Sequence, residues 1–271
     1  MHKEVISKSF HSHAEEYDQH VAVQKRVVEN LAGLASAHVT GMPAAILDVG
    51  CGTGQLLDML QRIYPLSARF GVDLAFNMLH CAACRSADRP FLVAGDAEAL
   101  PFVHGSFDLL VSTSMLQWLD SLDLFLSEAH RVIAPGGSVC IAFFMGDTFQ
   151  ELQESVQAAM QSQHIAGRGA EQRLHRFQNR EMIERSLAAS PFNDINVIYG
   201  RETEMYADMY QLLRTTKKIG AGASSGSGGA VGLRWRGILN EAAGLYRTRY
   251  GVNGHVPATY EVCYVVASRA R

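Results

Sequence analysis

The stretch Asp48-Val-Gly-Cys-Gly-Thr-Gly54 decides how this chain is read. It follows the apolar run Ala45 to Val49 and precedes the helix-like segment Leu56 to Ile63, so it falls at a strand-to-helix turn. Glycine at 50, 52 and 54 permits backbone angles and a close approach that a Cβ would prevent. A ligand can therefore lie against the turn with backbone N–H groups facing it, and the turn suits something nucleotide-like.

Spacing narrows the ligand. A dinucleotide loop reads G-x-G-x-x-G and opens onto a helix N-terminus for a pyrophosphate. Here the glycines are spaced G-x-G-x-G behind an acidic residue. Asp48 would repel a pyrophosphate and suits a ligand carrying an ammonium and a sulfonium.

Outward from the loop, the apolar runs Arg69 to Asp73, Phe91 to Ala94 and Leu109 to Ser112 alternate with helix-like segments such as Ala75 to Ala87. Ser138 to Phe144 follows the turn Ala134-Pro-Gly-Gly137. Near-continuous hydrophobicity is what strands buried on both faces require, so five parallel strands are expected. Helices near Thr148 to Met160 and Asn179 to Ala189, a sixth strand near Ile195 to Arg201 and a last strand, Glu261 to Ser268, complete the pattern. The fold class is α/β: a Rossmann-like, mostly parallel seven-stranded sheet with helices on both faces and a helical lid inserted before the last strand. One domain, 1–271, is expected, with a closing helix in 1–35 and the lid in 202–256. Within the lid, Gly220 to Gly232 is nearly all Gly, Ala and Ser and reads as a mobile loop.

Asp73 ends the second strand, where a carboxylate can accept both hydroxyls of a ribose. Asp96 follows the third strand, placed to accept from an adenine amino group. Each aspartate taken alone reads equally well as a helix N-cap. Three acidic residues at successive strand ends favour a ligand site. The candidate binding set is Asp48, Gly50, Cys51, Gly52, Gly54, Asp73, Leu74, Asp96, Ala97 and Ser112. Ser112-Thr-Ser-Met-Leu-Gln-Trp118 ends the fourth strand, and Gln117 and Trp118 read as the floor of a pocket; for Trp118 a core role is equally compatible.

Bulk properties exclude several classes. Twenty-four Lys plus Arg against twenty-seven Asp plus Glu leave a near-neutral chain, which argues against coating nucleic acid or an anionic membrane. Five scattered cysteines imply reduced thiols in the cytosol and no disulfide framework. Cys81 and Cys84 form a C-x-x-C without a second ligand pair at zinc-like spacing, so no metal is expected. No secretory signal and no membrane-spanning run is read, which places the protein in the cytoplasm.

The glycine loop with Asp73 and Asp96, then Phe107-Asp-Leu-Leu-Val111 and Arg131-Val-Ile-Ala-Pro-Gly-Gly137, resembles the class I S-adenosylmethionine-dependent methyltransferases over roughly residues 45 to 145. The flanks extend the likeness. Ser9-Phe10, Ala14, Tyr17-Asp18 and Gln24, then Leu212-Leu-Arg-Thr-Thr-Lys-Lys-Ile-Gly-Ala221 and Pro257-Ala-Thr-Tyr-Glu-Val-Cys-Tyr264, are similar to the biotin-pathway malonyl-[acyl-carrier protein] O-methyltransferases. The resemblance implies S-adenosylmethionine as cofactor and Tyr17 on a helix that closes over it. It implies a malonyl-loaded acyl carrier protein or malonyl-CoA as substrate; a monomer is expected, though the sequence leaves the oligomeric state open. The free carboxylate would attack the methyl group directly, without a base, since it is ionised at neutral pH.

Arg214, Lys217 and Lys218 stand at i, i+3 and i+4 and share a helix face. Residues 201 to 250 hold eight Lys or Arg against four Asp or Glu, a patch suited to an acidic carrier or a carboxylate. With the resemblance, Arg214 or Lys217 is the expected clamp on the substrate carboxylate, Tyr17 and Gln117 completing the catalytic set; Arg168, Arg173 and Arg176 would add to the patch. A plain solvated helix face is the alternative. Competing functions are methylation of another small acid or a quinone, a nicotinamide oxidoreductase, disfavoured by the third glycine's position, and a cofactor-binding interaction module.

Overall fold

The computed structural model describes residues 3–19, 21–86, 88–163, 177–218 and 230–271. Its centre is a seven-stranded sheet, built from β1 (Ala45–Val49), β2 (Ala68–Asp73), β3 (Phe91–Ala94), β4 (Phe107–Thr113), β5 (Ile133–Met145), β6 (Asn193–Tyr206) and β7 (Val256–Ser268). The order is β3-β2-β1-β4-β5-β7-β6. The first five strands are parallel and β7 runs antiparallel between β5 and β6.

Alternate side chains along β5 serve opposite cores, as the two-residue repeat of a strand dictates. Cys140, Ala142 and Phe144 join one cluster, Val139, Ile141 and Phe143 the other. The first core is closed by α2 (Ala22–His38), α3 (Gln55–Ile63), α6 (Gln150–Ser162), α8 (Met209–Lys218) and α9 (Ala230–Tyr250), the second by α5 (Leu122–Val132) and α7 (Arg180–Ala189). α4 (Phe76–Arg85) flanks β2 and β3, and α1 (Lys3–Tyr17) packs on α4. The sheet order reverses between β1 and β4, so a crevice opens at the carboxyl ends of these strands, where open α/β sheets bind ligands.

Several sequence expectations need correction. The single closing helix in 1–35 is two helices, α1 and α2. The break falls at Asp18, whose side chain turns to accept from Thr53 Oγ1 (2.7 Å) and Gln55 Nε2 (2.5 Å). The turn at Ala134 to Gly137 is absorbed into β5, where Ile133 already pairs with Phe107. Of the expected loop 220–232, residues 220–229 lie outside the described part, but 230–232 begin α9. That helix is held by Ile238, Ala242 and Tyr246, a buried stripe at i, i+4 and i+8. Arg168, Arg173 and Arg176 also lie outside the described residues. No helix among the described residues is long and apolar enough to cross a membrane.

Candidate active site

The glycine turn is fixed to β2 by its backbone. Gly50 and Cys51 N–H both donate to Val72 O (2.7 and 3.1 Å). Asp73, at the end of β2, accepts Gly52 N–H on Oδ2 (2.9 Å) and Ala75 N–H on Oδ1 (2.8 Å). Gly54 N-caps α3 at φ +82°, and a Cβ there would stand 3.3 Å from Ala82 Cα, so both sterics and backbone conformation demand glycine.

The crevice in front of the turn is a cavity that opens to solvent. Gly50, Gly52, Asp73, Leu74, Asp96 and Ala97 line it. The other predicted binding residues do not. Gly54 shapes the start of α3. The Cys51 thiol packs with Leu57, Leu79 and Leu92, and burial pushes its pKa well up. Ser112 is fully buried inside β4 and donates to Val49 O (2.6 Å), a structural bond. Its neighbours Thr113 and Ser114 reach the cavity instead. Asp48 is 1% exposed, directly behind the turn.

Whether this crevice fits S-adenosylmethionine is decided at two places. Asp48 Oδ1 is buried without a hydrogen-bond partner among the described residues. Burial, with the Asp73 charge added, drives its carboxyl well above the ordinary range. A cationic ligand seated against the turn in front of it would lower the cost of that charge through space. At Gly52 an added Cβ would meet nothing within 4 Å, so the space beside the turn is open to a ligand. The residues fit the group.

Helix α1 roofs the crevice and is fastened at both ends. Lys3 Nζ donates to Asp96 Oδ2 (2.6 Å) and also pairs with Glu98. At the other end Asp18 takes Thr53, Gln55 and the guanidinium of Arg85, which itself donates from Nε to Thr53 O (2.8 Å). Sequence reading missed these latch partners, because pairs up to 93 residues apart leave no local pattern.

A second pocket adjoins the first and shares Phe10, Tyr17, Ser114 and Trp118 with it. Trp118 is thus a wall common to both, with Phe10 edge-on at 5.6 Å between ring centroids. Gln24, Gln117, Thr148 and Thr216 supply polar side chains, and Phe144, Phe149, Phe177 and Tyr260 the aromatic ones. Burial first, then the Asp73 charge, holds the Tyr17 phenol above its usual range, so it stays protonated at neutral pH. Gln117 donates from Nε2 to Ser114 O (2.7 Å).

The structure does not bring Arg214 and Lys217 to either pocket. Both side chains are exposed, and Arg214 faces Asp208 at 3.8 Å. The inward face of α8 is Met209, Leu212 and Thr216, which turns the cationic face to solvent. Among the described residues no group of three or more His, Cys, Asp or Glu gathers to hold a metal, and Cys84 is exposed, 4.0 Å from His80.

Residues 47–141 match the family model described as a methyltransferase domain. The malonyl-[acyl-carrier protein] O-methyltransferase of Geobacter sulfurreducens is 41% identical over 97% of this chain and 98% of its own length. A solved structure of a methyltransferase from Bacillus halodurans superposes with a TM-score of 0.61 at 16% identity, over 90% of this chain and 99% of its own. Phosphoethanolamine N-methyltransferase 2 of Haemonchus contortus, solved in complex with S-adenosyl-L-methionine, gives 0.54 at 21% identity, over 90% of this chain and 52% of its own; these two likenesses concern the fold.

Proposed function

The chain belongs to the malonyl-[acyl-carrier protein] O-methyltransferase family, and from that membership we propose that it esterifies the free carboxylate of a malonyl group carried as a thioester on acyl carrier protein. The enzyme is an S-adenosylmethionine-dependent methyltransferase. The observation that carries the reading is the junction of two unlike pockets at Tyr17, Ser114 and Trp118. One is edged by aspartates and a glycine turn; the other is aromatic, with neutral polar groups.

When bound, S-adenosylmethionine supplies an electrophilic methyl group on a sulfonium sulfur. Asp73 would hold the ribose hydroxyls and Asp96 the adenine amino group, with Leu74 and Ala97 as flanking walls, while Asp48 behind the turn would add negative charge opposite the cationic amino-acid end. Tyr17, Trp118 and α1 exclude water where the acceptor meets the methyl. A carboxylate and a sulfonium lose opposite charges as they react, so water favours the reactants, and a dry junction raises the rate. No residue has to remove a proton, since a carboxylate is already ionised at neutral pH. Masking one carboxylate as an ester removes a charge that chain-elongating enzymes reject, which places the reaction early in the pimeloyl branch of biotin synthesis.

The direct test is mass spectrometry of malonyl-carrier protein and malonyl-CoA after incubation with enzyme and S-adenosylmethionine. A methyl ester on the carrier-bound malonyl group is expected. Ester on malonyl-CoA alone would reassign the carrier, and ester on neither would end this reading.

The cationic face of α8 then has a different task from the one its sequence suggested. Arg214, Lys217 and Lys218 point outward and suit docking of an acidic carrier protein. Replacing all three by glutamate is expected to raise the KM for carrier-bound substrate about tenfold, with kcat unchanged and the effect shrinking as salt rises. Steady-state kinetics at two ionic strengths check this; an unaltered KM would remove α8 from the docking surface.

A further inference from the structure

We infer that Ser114 Oγ is a hydrogen-bond donor for the acceptor's carboxylate. This rests on the carboxylate-methylation reading above and deepens it.

Ser114 sits just past the end of β4, in the left-handed region at φ +54°. For a residue with a Cβ that conformation costs about 1–2 kcal/mol, and such strain gathers at functional sites. Here it is imposed from both sides. Ser114 N–H donates to Ala142 O (2.8 Å), and Ser114 O accepts from Gln117 Nε2. The clamped backbone delivers the side chain to the boundary of the two pockets, where it lines both.

The hydroxyl delivered there has nothing to bind. Ser114 Oγ is buried and has no hydrogen-bond partner among the described residues. A buried hydroxyl left in that state is destabilising, so its presence at the junction calls for a ligand. Ser112, two residues earlier, gives the contrast: its hydroxyl is equally shielded but satisfied by Val49 O. Gln117 Oε1 is orphaned as well, while its Nε2 is committed to holding Ser114, which makes Gln117 a positioning residue. Across the pocket Phe149 is a second non-glycine residue at positive φ, +62°, with its ring 4.8 Å from that of Tyr260. Two strained residues facing one aromatic pocket mark it as built for a ligand.

A neutral donor suits the role. Among the described residues lining the second pocket there is no Lys, Arg or His. A cation locked onto the attacking oxygen would quench its nucleophilicity. A single hydroxyl on the other carboxylate oxygen orients the acid and leaves the attacking oxygen free.

The test uses Ser114→Gly and Ser114→Ala in the full-length enzyme. Glycine relaxes the left-handed backbone and alanine keeps it strained, yet both lack the hydroxyl. Both variants are expected to lose roughly 10- to 100-fold in kcat/KM for malonyl-carrier protein. The dissociation constant for S-adenosylmethionine, from calorimetry, should stay within about twofold, and Ser114→Gly should melt at or above wild type. Unchanged kcat/KM in Ser114→Gly, recovery by glycine but not alanine, or a loss matched by weaker cofactor binding would each overturn the inference. Wild-type enzyme that forms no ester on malonyl-carrier protein would instead overturn the parent reading, so the two failures are distinguishable.

Discussion

Asp73→Ala is expected to weaken S-adenosylmethionine binding by about two to three orders of magnitude. The carboxylate takes Gly52 N–H on one oxygen and Ala75 N–H on the other, and Asp73 lines the crevice. Two ribose hydroxyls held by a charged group contribute about 1.5–3 kcal/mol each, and every 1.4 kcal/mol or so is tenfold in affinity. Alanine also frees the Gly52 N–H, so the turn loses one of its three ties to β2 at the same moment. Asp73→Asn should fare little better. Whichever way its amide is turned, the NH2 group faces one of the two backbone donors. Isothermal titration of both variants checks this, and an affinity within threefold of wild type would show that the ribose is held elsewhere.

Asp48→Asn is expected to make the ligand-free protein more stable and the enzyme worse. The carboxyl is almost wholly enclosed, one oxygen has no partner, and its pKa is driven well above the ordinary 3.8 by burial first and Asp73 second. A raised acid holds its proton more tightly folded than unfolded. Its stabilising contribution is therefore present below 3.8 and lost as pH rises through the raised value. Asparagine carries no such dependence. The variant's advantage in Tm should be nil in acid and grow towards neutrality, reaching about 1–3 kcal/mol, or roughly 2–4 °C for each of these in a chain near this size. Cofactor affinity should fall about tenfold with loss of the negative charge behind the turn. Thermal melts from pH 4 to 8 without ligand decide the matter: a variant less stable than wild type at pH 7 would make Asp48 a structural acid.

The fold was legible because each of its signals is local. β1 and β3 begin and end at Ala45–Val49 and Phe91–Ala94, where the apolar runs do, and Asp73 and Asp96 reach the crevice because strand ends fix their direction. What failed depended on tertiary packing. The i, i+3, i+4 spacing correctly puts Arg214, Lys217 and Lys218 on one face of α8, but Met209, Leu212 and Thr216 decide which face turns inward. In Ser112-Thr-Ser114 both serines look alike, yet one is still within the strand and buried, while the other lies beyond its end. The left-handed backbone at Ser114 and Phe149 has no sequence mark, since neither residue is a usual occupant of that region. α9 was missed because it starts in the Gly/Ser-rich stretch, where composition speaks against a helix and burial of Tyr246 overrules it.

The two-ended fastening of α1 ties helix position to the traffic of the cofactor. Lys3 grips Asp96, the acid that would meet the adenine, and Asp18 grips Thr53 and Gln55 at the glycine turn. Any change in how Asp96 is engaged is therefore felt at the first turn of α1. The contacts at both ends include ion pairs, Lys3 with Asp96 and Arg85 with Asp18, so the hold on α1 is expected to loosen as salt is added.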